Sequence, residues 1–426
     1  MASVTHRPRK RLSSKPRRDA VAAHHRHQDQ QPRPSRRQKR RLSREQRRQA
    51  ARTAGLSRRQ LKRIGGQLPA PLHAVFAPLD SALTRPTARR LVLLALAAIL
   101  TTGGRTIANL LRTLGALAPG HPSSYHRVLS HRRWSTRRLA RRYIAAVLDH
   151  FVPHGPVELV GDDTVTEHPG DQVYGKGRHR DPVRSTHSFT AYRWGHKWVV
   201  LAMLVRFPFC RRRWALPLLV ALDRPEEEGV DGVTQRAHKT PVDLLGQMLR
   251  ILIRWFPDRR FVCCADGNYA AHELAELAAA HPQRLTFVSK FYPHANLFEP
   301  PPPVPGKRPA HRPCKKGKEL PDPAEVVRAT AERPVWSVAW YGGGRRRVEV
   351  VTGSGWWYRS GRPLIPVRWV FVRDRTGTHR DEYFFTTDVT MSARTVIETY
   401  TGRWNIEMSH PDYPSSDSLY RRDRAA

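Results

Sequence analysis

Apolar residues first recur with a helical period between residues 68 and 154, where the spacing predicts helices over 88–100, 106–117 and 135–151. Positions three and four apart on such a segment share one face and bury together. Before Gly66 the chain is dominated by Arg, Lys, Gln, Ser and Pro with hardly an apolar residue, so it buries too little surface to offset its ordering entropy and is expected to be disordered. The apolar run 91–100 is half the length of about 20 residues that a bilayer requires and is expected as a core helix, not a membrane span.

Past residue 155 the pattern changes to short apolar strands. The first, 157–160, ends in Gly161 and is followed at once by Asp162 and Asp163; further strands are predicted over 185–193, 197–207 and 214–222. Residues 241–255 then carry apolar side chains at Leu244, Leu245, Met248, Leu249, Leu252 and Ile253, an amphipathic helix. A strand over 261–265 ends in Asp266, a helix is expected over 270–280, and a strand over 284–290. Sequential strands followed by helix, strand, helix, strand is the order of an RNase H-like core.

Residues 299–325 are rich in Pro and Lys and read as a loop, and strands over 335–341, 347–352, 355–358, 367–373 and 382–386 read as a β-rich insertion. Ser392 caps a last helix. The expected class is therefore α/β, an RNase H-like mixed sheet flanked by helices, with a β-rich insertion and an N-terminal helical domain. Its expected parts are a disordered basic tail (1–66), a helical DNA-binding domain (67–154), the first part of the catalytic core (155–295), loop and insertion (296–385), the last helix of the core (386–408) and a polar tail (409–426).

Charge narrows the partner. With 75 Lys and Arg against 36 Asp and Glu the net charge is +39 and the isoelectric point about 11.3, which calls for a polyanion, and nucleic acid is the natural candidate. His126, Arg127, His131, Arg132, Arg133 and Arg137 give the helical region a basic face suited to DNA. Eleven Trp and the ordered patterns downstream argue against a binder that works by charge alone. Cys210, Cys263, Cys264 and Cys314 have no Cys-x-x-Cys spacing, so neither a zinc ribbon nor a disulfide framework is indicated; reduced thiols in a cytoplasmic protein are expected.

An Asp at each of two strand ends and a Glu on a late helix form a set that can converge on divalent metal. Taken singly, each is more often a surface acid or a helix cap. Tyr400, Arg403 and Glu407 fall three and four residues apart and share a helix face. With Asp163 in Gly-Asp-Asp-Thr, Asp266 in Ala-Asp-Gly-Asn-Tyr and Tyr400-Thr-Gly-Arg403-Trp-Asn-Ile-Glu407, residues 68–407 resemble the DDE transposases of bacterial insertion sequences, in the branch with a Tyr-x-x-Arg-x-x-x-Glu signature. The resemblance implies that Asp163, Asp266 and Glu407 hold Mg²⁺, with Mn²⁺ able to substitute, and cut and join DNA by phosphoryl transfer. Because the family's first acid directly precedes Thr, it points to Asp163 over Asp162, whose side chains alternate across a strand.

The resemblance further implies that Arg403 clamps a phosphate, that Tyr400 contacts DNA, and that an aromatic of the insertion, Trp356 or Trp357, holds a flipped base. For Tyr400 and both tryptophans, packing is the competing reading. Expected partners are the element's terminal inverted repeats and target DNA, with a homodimer assembling on them and the nucleoid as the place of action. The signature's Lys, expected seven residues past Glu407, is replaced by Pro414 after Pro411. The tail therefore reads as truncated or frameshifted, with activity impaired; a catalytically inactive DNA-binding remnant or repressor is the alternative.

Overall fold

The computed structural model describes residue 76 and residues 82–406, apart from 169, 171–172, 182–183, 187, 211, 225–237 and 303–315. The expected basic tail before residue 66, Glu407 and the tail after it lie outside the described residues. The chain divides into two compact units, Met1–Ser135 and Thr136–Ala426.

The first unit holds α1 (Arg85–Leu100), α2 (Ile107–Leu114) and α3 (Pro122–Ser130). Proline in the first turn starts α1 and α3, where its missing N–H is not needed. Leu93, Leu94 and Ala97 of α1 bury against Leu110 and Leu114 of α2 and Tyr125 of α3. His126, Arg127, His131, Arg132 and Arg133 are all exposed, as the sequence predicted for a basic face.

The second unit begins with α4 (Thr136–Phe151), whose Ile144, Val147 and Leu148 join the core beneath the sheet. The boundary therefore falls at Ser135, earlier than the 154 expected, because α4 has its apolar partners in the sheet. The strands are β1 (Val157–Glu167), β2 (Gly177–Arg180), β3 (Tyr192–Arg206), β4 (Arg213–Asp223), β5 (Phe261–Ala265) and β6 (Leu285–Lys290). β3 runs antiparallel to β1, β2 and β4, whereas β1, β5 and β6 are mutually parallel neighbours. The central order β4-β3-β1-β5-β6 is the mixed sheet that the sequence led us to expect. Between its parallel strands run α5 (Pro241–Trp255) and α6 (His272–Ala279). A reciprocal capping box between Thr240 and Asp243 fixes the start of α5, and its stripe Leu245, Met248, Leu249 and Leu252 lies on the core.

The insertion does not stand apart. β7 (Leu297–Phe298), β8 (Glu319–Leu320), α7 (Pro323–Ala329), β9 (Val335–Ala339), β10 (Arg345–Trp357), β11 (Ile365–Asp374) and β12 (Glu382–Thr386) follow in sequence. β12 pairs with β6, so the sheet continues as β6-β12-β11-β10 and reaches twelve strands. The two predicted strands 347–352 and 355–358 are one, because Gly353 admits the Trp369 ring of β11 where a Cβ would meet it at 2.7 Å. The predicted loop 299–325 ends in α7, whose start signal, Asp322-Pro-Ala-Glu325, is a capping box. The last helix, α8 (Ala393–Gly402), is capped by Ser392 and lies on the opposite sheet face from α5 and α6; its Val396, Ile397 and Tyr400 pack with Cys264, Val288 and Val370.

At the end of β11, Asp374 is a buried carboxylate receiving hydrogen bonds from Thr376 Oγ1 (2.8 Å), Thr378 Oγ1 (2.9 Å) and the Arg346 guanidinium (2.5 Å). Burial pushes its pKa up, but these donors outweigh burial and hold it well below the usual carboxylate range. A depressed carboxylate contributes stability above its unfolded pKa and loses it as pH falls through the folded value. Asp374→Ala should therefore destabilise the second unit by about 3–5 kcal/mol at neutral pH, as for a broken buried pair. Urea denaturation checks this, and the difference from the parent should narrow as the pH falls below about 4.

Candidate active site

The site begins with one pairing. β1 and β5 run parallel with Gly161 opposite Ala265, where their pairing stops. β5 ends there and Asp266 follows, whereas β1, expected from the sequence to end at Gly161, runs on through Asp162 and Asp163 to Glu167 paired with β3. An Asp therefore stands on each segment at the carboxyl end of the parallel pairing. Open sheets bind their ligands at such ends. Gly161 is required for a packing reason: a Cβ there would lie 2.8 Å from the Leu245 side chain of α5.

Alternation along β1 then separates the two neighbouring acids. Leu159, Gly161 and Asp163 face α5, whereas Val160 and Asp162 face the side that carries α8. Asp163 Oδ2 accepts a hydrogen bond from the Tyr269 hydroxyl at 3.1 Å and lies 3.3 Å from Lys197 Nζ. Burial and the Asp163 carboxylate push the Tyr269 phenol far upward, so it remains a donor. Asp162 Oδ1 accepts the Asp163 backbone N–H at 2.8 Å, and its Oδ2 lies 3.5 Å from Arg403 Nη1.

Asp266 follows Cys264 on the α8 side of β5 and caps the short 3₁₀ turn Gly267–Tyr269, accepting the Asn268 backbone N–H at 3.1 Å. The Ser289 hydroxyl donates to the Asp266 carbonyl at 2.8 Å and pins the turn to β6. Burial raises the Asp266 pKa, Arg403 opposes that rise and Asp163 adds to it; the net direction is up. Asp163 is thus the neighbouring acid whose charge is felt at Asp266. The partners of the two β1 acids differ: the engaged oxygen of Asp163 is held from the α5 and α6 side by Tyr269 and Lys197, while Asp162 lies 3.5 Å from the Arg403 guanidinium, whose charge also acts on Asp266.

Arg403 is buried and begins the 3₁₀ turn Arg403–Asn405 that replaces α-helix after Gly402. The regular helix thus ends before Glu407. Ile406 packs with Val160, Val200 and Ala202 on the Asp162 face, which is where the described chain stops. Tyr400 is buried and stacked on Phe384 with ring centroids 4.3 Å apart, and Arg403 lies 5.7 Å from its ring. Of the two readings of Tyr400, contact with DNA and packing, these neighbours support packing beside Arg403. Trp357 is likewise enclosed by His272, Phe291 and Phe385, so its ring has no face for a flipped base. Trp356 is half-buried, opposite Phe298 of β7 and Pro366 of β11.

Lys197 and Tyr269 were given no role from the sequence, although Tyr269 lies within the motif around Asp266; only the fold brings both to Asp163. On the same face the half-buried His179 and the buried Asp223 are each pushed toward neutrality by burial, which lowers the His and raises the Asp. Among the described residues no three His, Cys, Asp or Glu side chains form a metal-binding group. The two carboxylates on the α8 face are hard oxygen donors and fit a hard divalent cation.

Residues 78–347 match the family profile described as DDE superfamily endonuclease. Among solved structures, the chain is similar to a piggyBac transposase in a synaptic complex with hairpin DNA, at 12% identity and a TM-score of 0.32. That match covers 78% of this chain and 65% of the other, so the chain spans about two thirds of the length of that relative. No curated protein matches the chain.

The packing assignment of Tyr400 is open to measurement. Tyr400→Phe should leave stability within about 1 kcal/mol and DNA affinity unchanged, whereas Tyr400→Ala should cost about 3–5 kcal/mol in urea denaturation. A loss of DNA affinity in a fully stable Tyr400→Phe protein would restore the contact with DNA.

Proposed function

The chain belongs to the DDE superfamily endonucleases, and from that premise we propose that it is a transposase of a bacterial insertion sequence, cutting DNA at the element's terminal inverted repeats and joining the freed end to target DNA. The observation that supports this reading is the placement of Asp162, Asp266 and Arg403 on one sheet face where the parallel pairing of β1 with β5 stops. We assign Asp162 as the first carboxylate in place of the Asp163 expected from the sequence, because its partner is Arg403 of the late helical segment. Glu407, one residue past Ile406, is proposed as the third.

These carboxylates would hold Mg²⁺, or Mn²⁺ in its place; such an ion supplies charge neutralisation at the phosphate and lowers the pKa of the attacking oxygen. Arg403 pairs with Asp162 and its charge opposes the rise in the Asp266 pKa, so it offsets the repulsion among the neighbouring carboxylates. Asp163 acts through position, tying the middle of β1 to Tyr269 and Lys197 so that Asp162 cannot rotate with the backbone. The exposed basic face of the first unit would grip the repeats, with the residues before 66 adding salt-dependent affinity. A homodimer on DNA at the nucleoid completes the proposal.

The test is nicking of a DNA that carries the element's ends, with Mg²⁺ present and with chelator. Asp162→Asn and Asp266→Asn should each lower the rate by about 10³-fold or more, equivalent to about 4 kcal/mol of barrier. Asp163→Asn should cost about 10- to 100-fold, the scale of an outer-shell partner. An inert Asp163→Asn beside an active Asp162→Asn would return the first ligand to Asp163. Binding at the ends with no cleavage under any metal would leave a DNA-binding repressor.

A further inference from the structure

The sheet edge beyond the carboxylates is segregated by charge. Along β3 the side chains of Trp198, His196, Trp194 and Tyr192 alternate onto the Asp162 face, since Asp162 pairs with Val200 and Thr164 with Trp198. β2 adds Arg178 opposite Trp194 and Arg180 opposite Tyr192 on the same face. The carboxylates of this region fall on the other face. Asp163 and Glu167 alternate onto it, Asp223 pairs with Lys197, and Asp181 bonds to Arg193. Among the described residues β2 and β3 themselves carry no acid, so the strip they present on the Asp162 face is one of aromatic rings and cations.

The rings on this strip are available. Trp194 is 58% exposed and Tyr192 49%, although both sit on regular strands. Cations lie against them: the Arg178 guanidinium is 3.9 Å from the Tyr192 ring centroid and Lys176 Nζ is 5.8 Å from that of Trp194. The platform is also fixed. Asp181, with only 3% of its side chain exposed, accepts from Arg193 Nε at 2.5 Å and its N–H donates to Ala191 at 2.9 Å, closing the connection between β2 and β3. Gly195 lets β3 press against β1 there, since a Cβ would lie 2.0 Å from the Thr166 carbonyl oxygen.

We propose that this β2–β3 strip binds an unpaired DNA strand adjoining the cleavage site, its bases stacking on Tyr192 and Trp194 while Arg178, Arg180 and Lys176 engage phosphates. Stacking on exposed rings with interleaved cations is how single strands are held without sequence preference. From Val200, opposite Asp162, to Trp194 is six strand positions, about 20 Å at about 3.3 Å per residue, within reach of a short unpaired strand. The proposal rests on the nuclease reading for the words "adjoining the cleavage site"; binding itself does not require cleavage.

The experiment uses the full chain in chelator, at raised salt to suppress sequence-independent phosphate affinity, and measures fluorescence anisotropy with a labelled strand of about 12 nucleotides. The same sequence as duplex serves as comparison. Tyr192→Ala with Trp194→Ala should weaken single-strand binding by about tenfold or more, since stacking contributes about 5- to 150-fold per base. Duplex affinity should change less than about threefold, and Tyr192→Phe with Trp194→Phe should restore single-strand binding even if the alanine pair proves unstable. Unchanged single-strand affinity, equal losses on both DNAs, or failure of the phenylalanine pair to bind would overturn the proposal. Unchanged DNA affinity with altered sedimentation would assign the strip to a second copy of the chain, and overturn it too. Because binding is measured without metal, a wild type that fails to nick in the separate Mg²⁺ assay defeats the nuclease reading and leaves this result standing.

Discussion

Two carboxylates held side by side repel, and burial makes the repulsion worse, so their coexistence is the constraint around which this fold is arranged. The parallel register that sets Gly161 against Ala265 brings Asp162 and Asp163 of β1 beside Asp266, and the Asp163 charge adds to the rise in the Asp266 pKa. Arg403 answers them from the far end of the chain, on a segment anchored by Tyr400 and Ile406 in the apolar layers beneath. The rise in the Asp266 pKa records the balance: burial is only partly offset by the guanidinium.

The two faces of the sheet divide the labour. α4, α5 and α6 close one face with a continuous apolar core, and on it Asp163 is tied into Tyr269 and Lys197. The other face carries α8 near the carboxylates and, further along β3, the exposed strip of rings and cations. A strand's period of two is sufficient to produce this division: one residue of difference between Asp162 and Asp163 changes the face, the partners and the chemistry open to each. It also explains how the sheet edge can be strongly basic on one side and ion-paired on the other.

Extending the sheet through β12, β11 and β10 gives Tyr400 and Trp357 apolar neighbours, Phe384 and Phe385 among them, that a detached insertion would not supply. That is why aromatic residues which a motif marks for DNA are here core residues. The exposed Tyr192 and Trp194 lie toward the opposite end of the sheet, on the part of β3 that pairs with β2.

The amino-acid sequence by itself determined the elements with strong local signals. The stripe and capping residues of α5, the apolar runs of β5 and β6, the Ser392 cap and the placing of Asp266 directly after a strand are all set by neighbours within a few residues. Asp322 to Glu325 carried the start of α7 just as locally and was legible, though read as loop. Which of Asp162 and Asp163 meets Arg403, whether the late strands stand alone or join the sheet, and whether Tyr400 and Trp357 are surface or core were decided only by the tertiary structure. Each depends on pairing between segments 100 or more residues apart in several cases, as between β1 and β5 or between Asp162 and Arg403. Burial and strand register are properties of such pairs, and no period within a single segment encodes them.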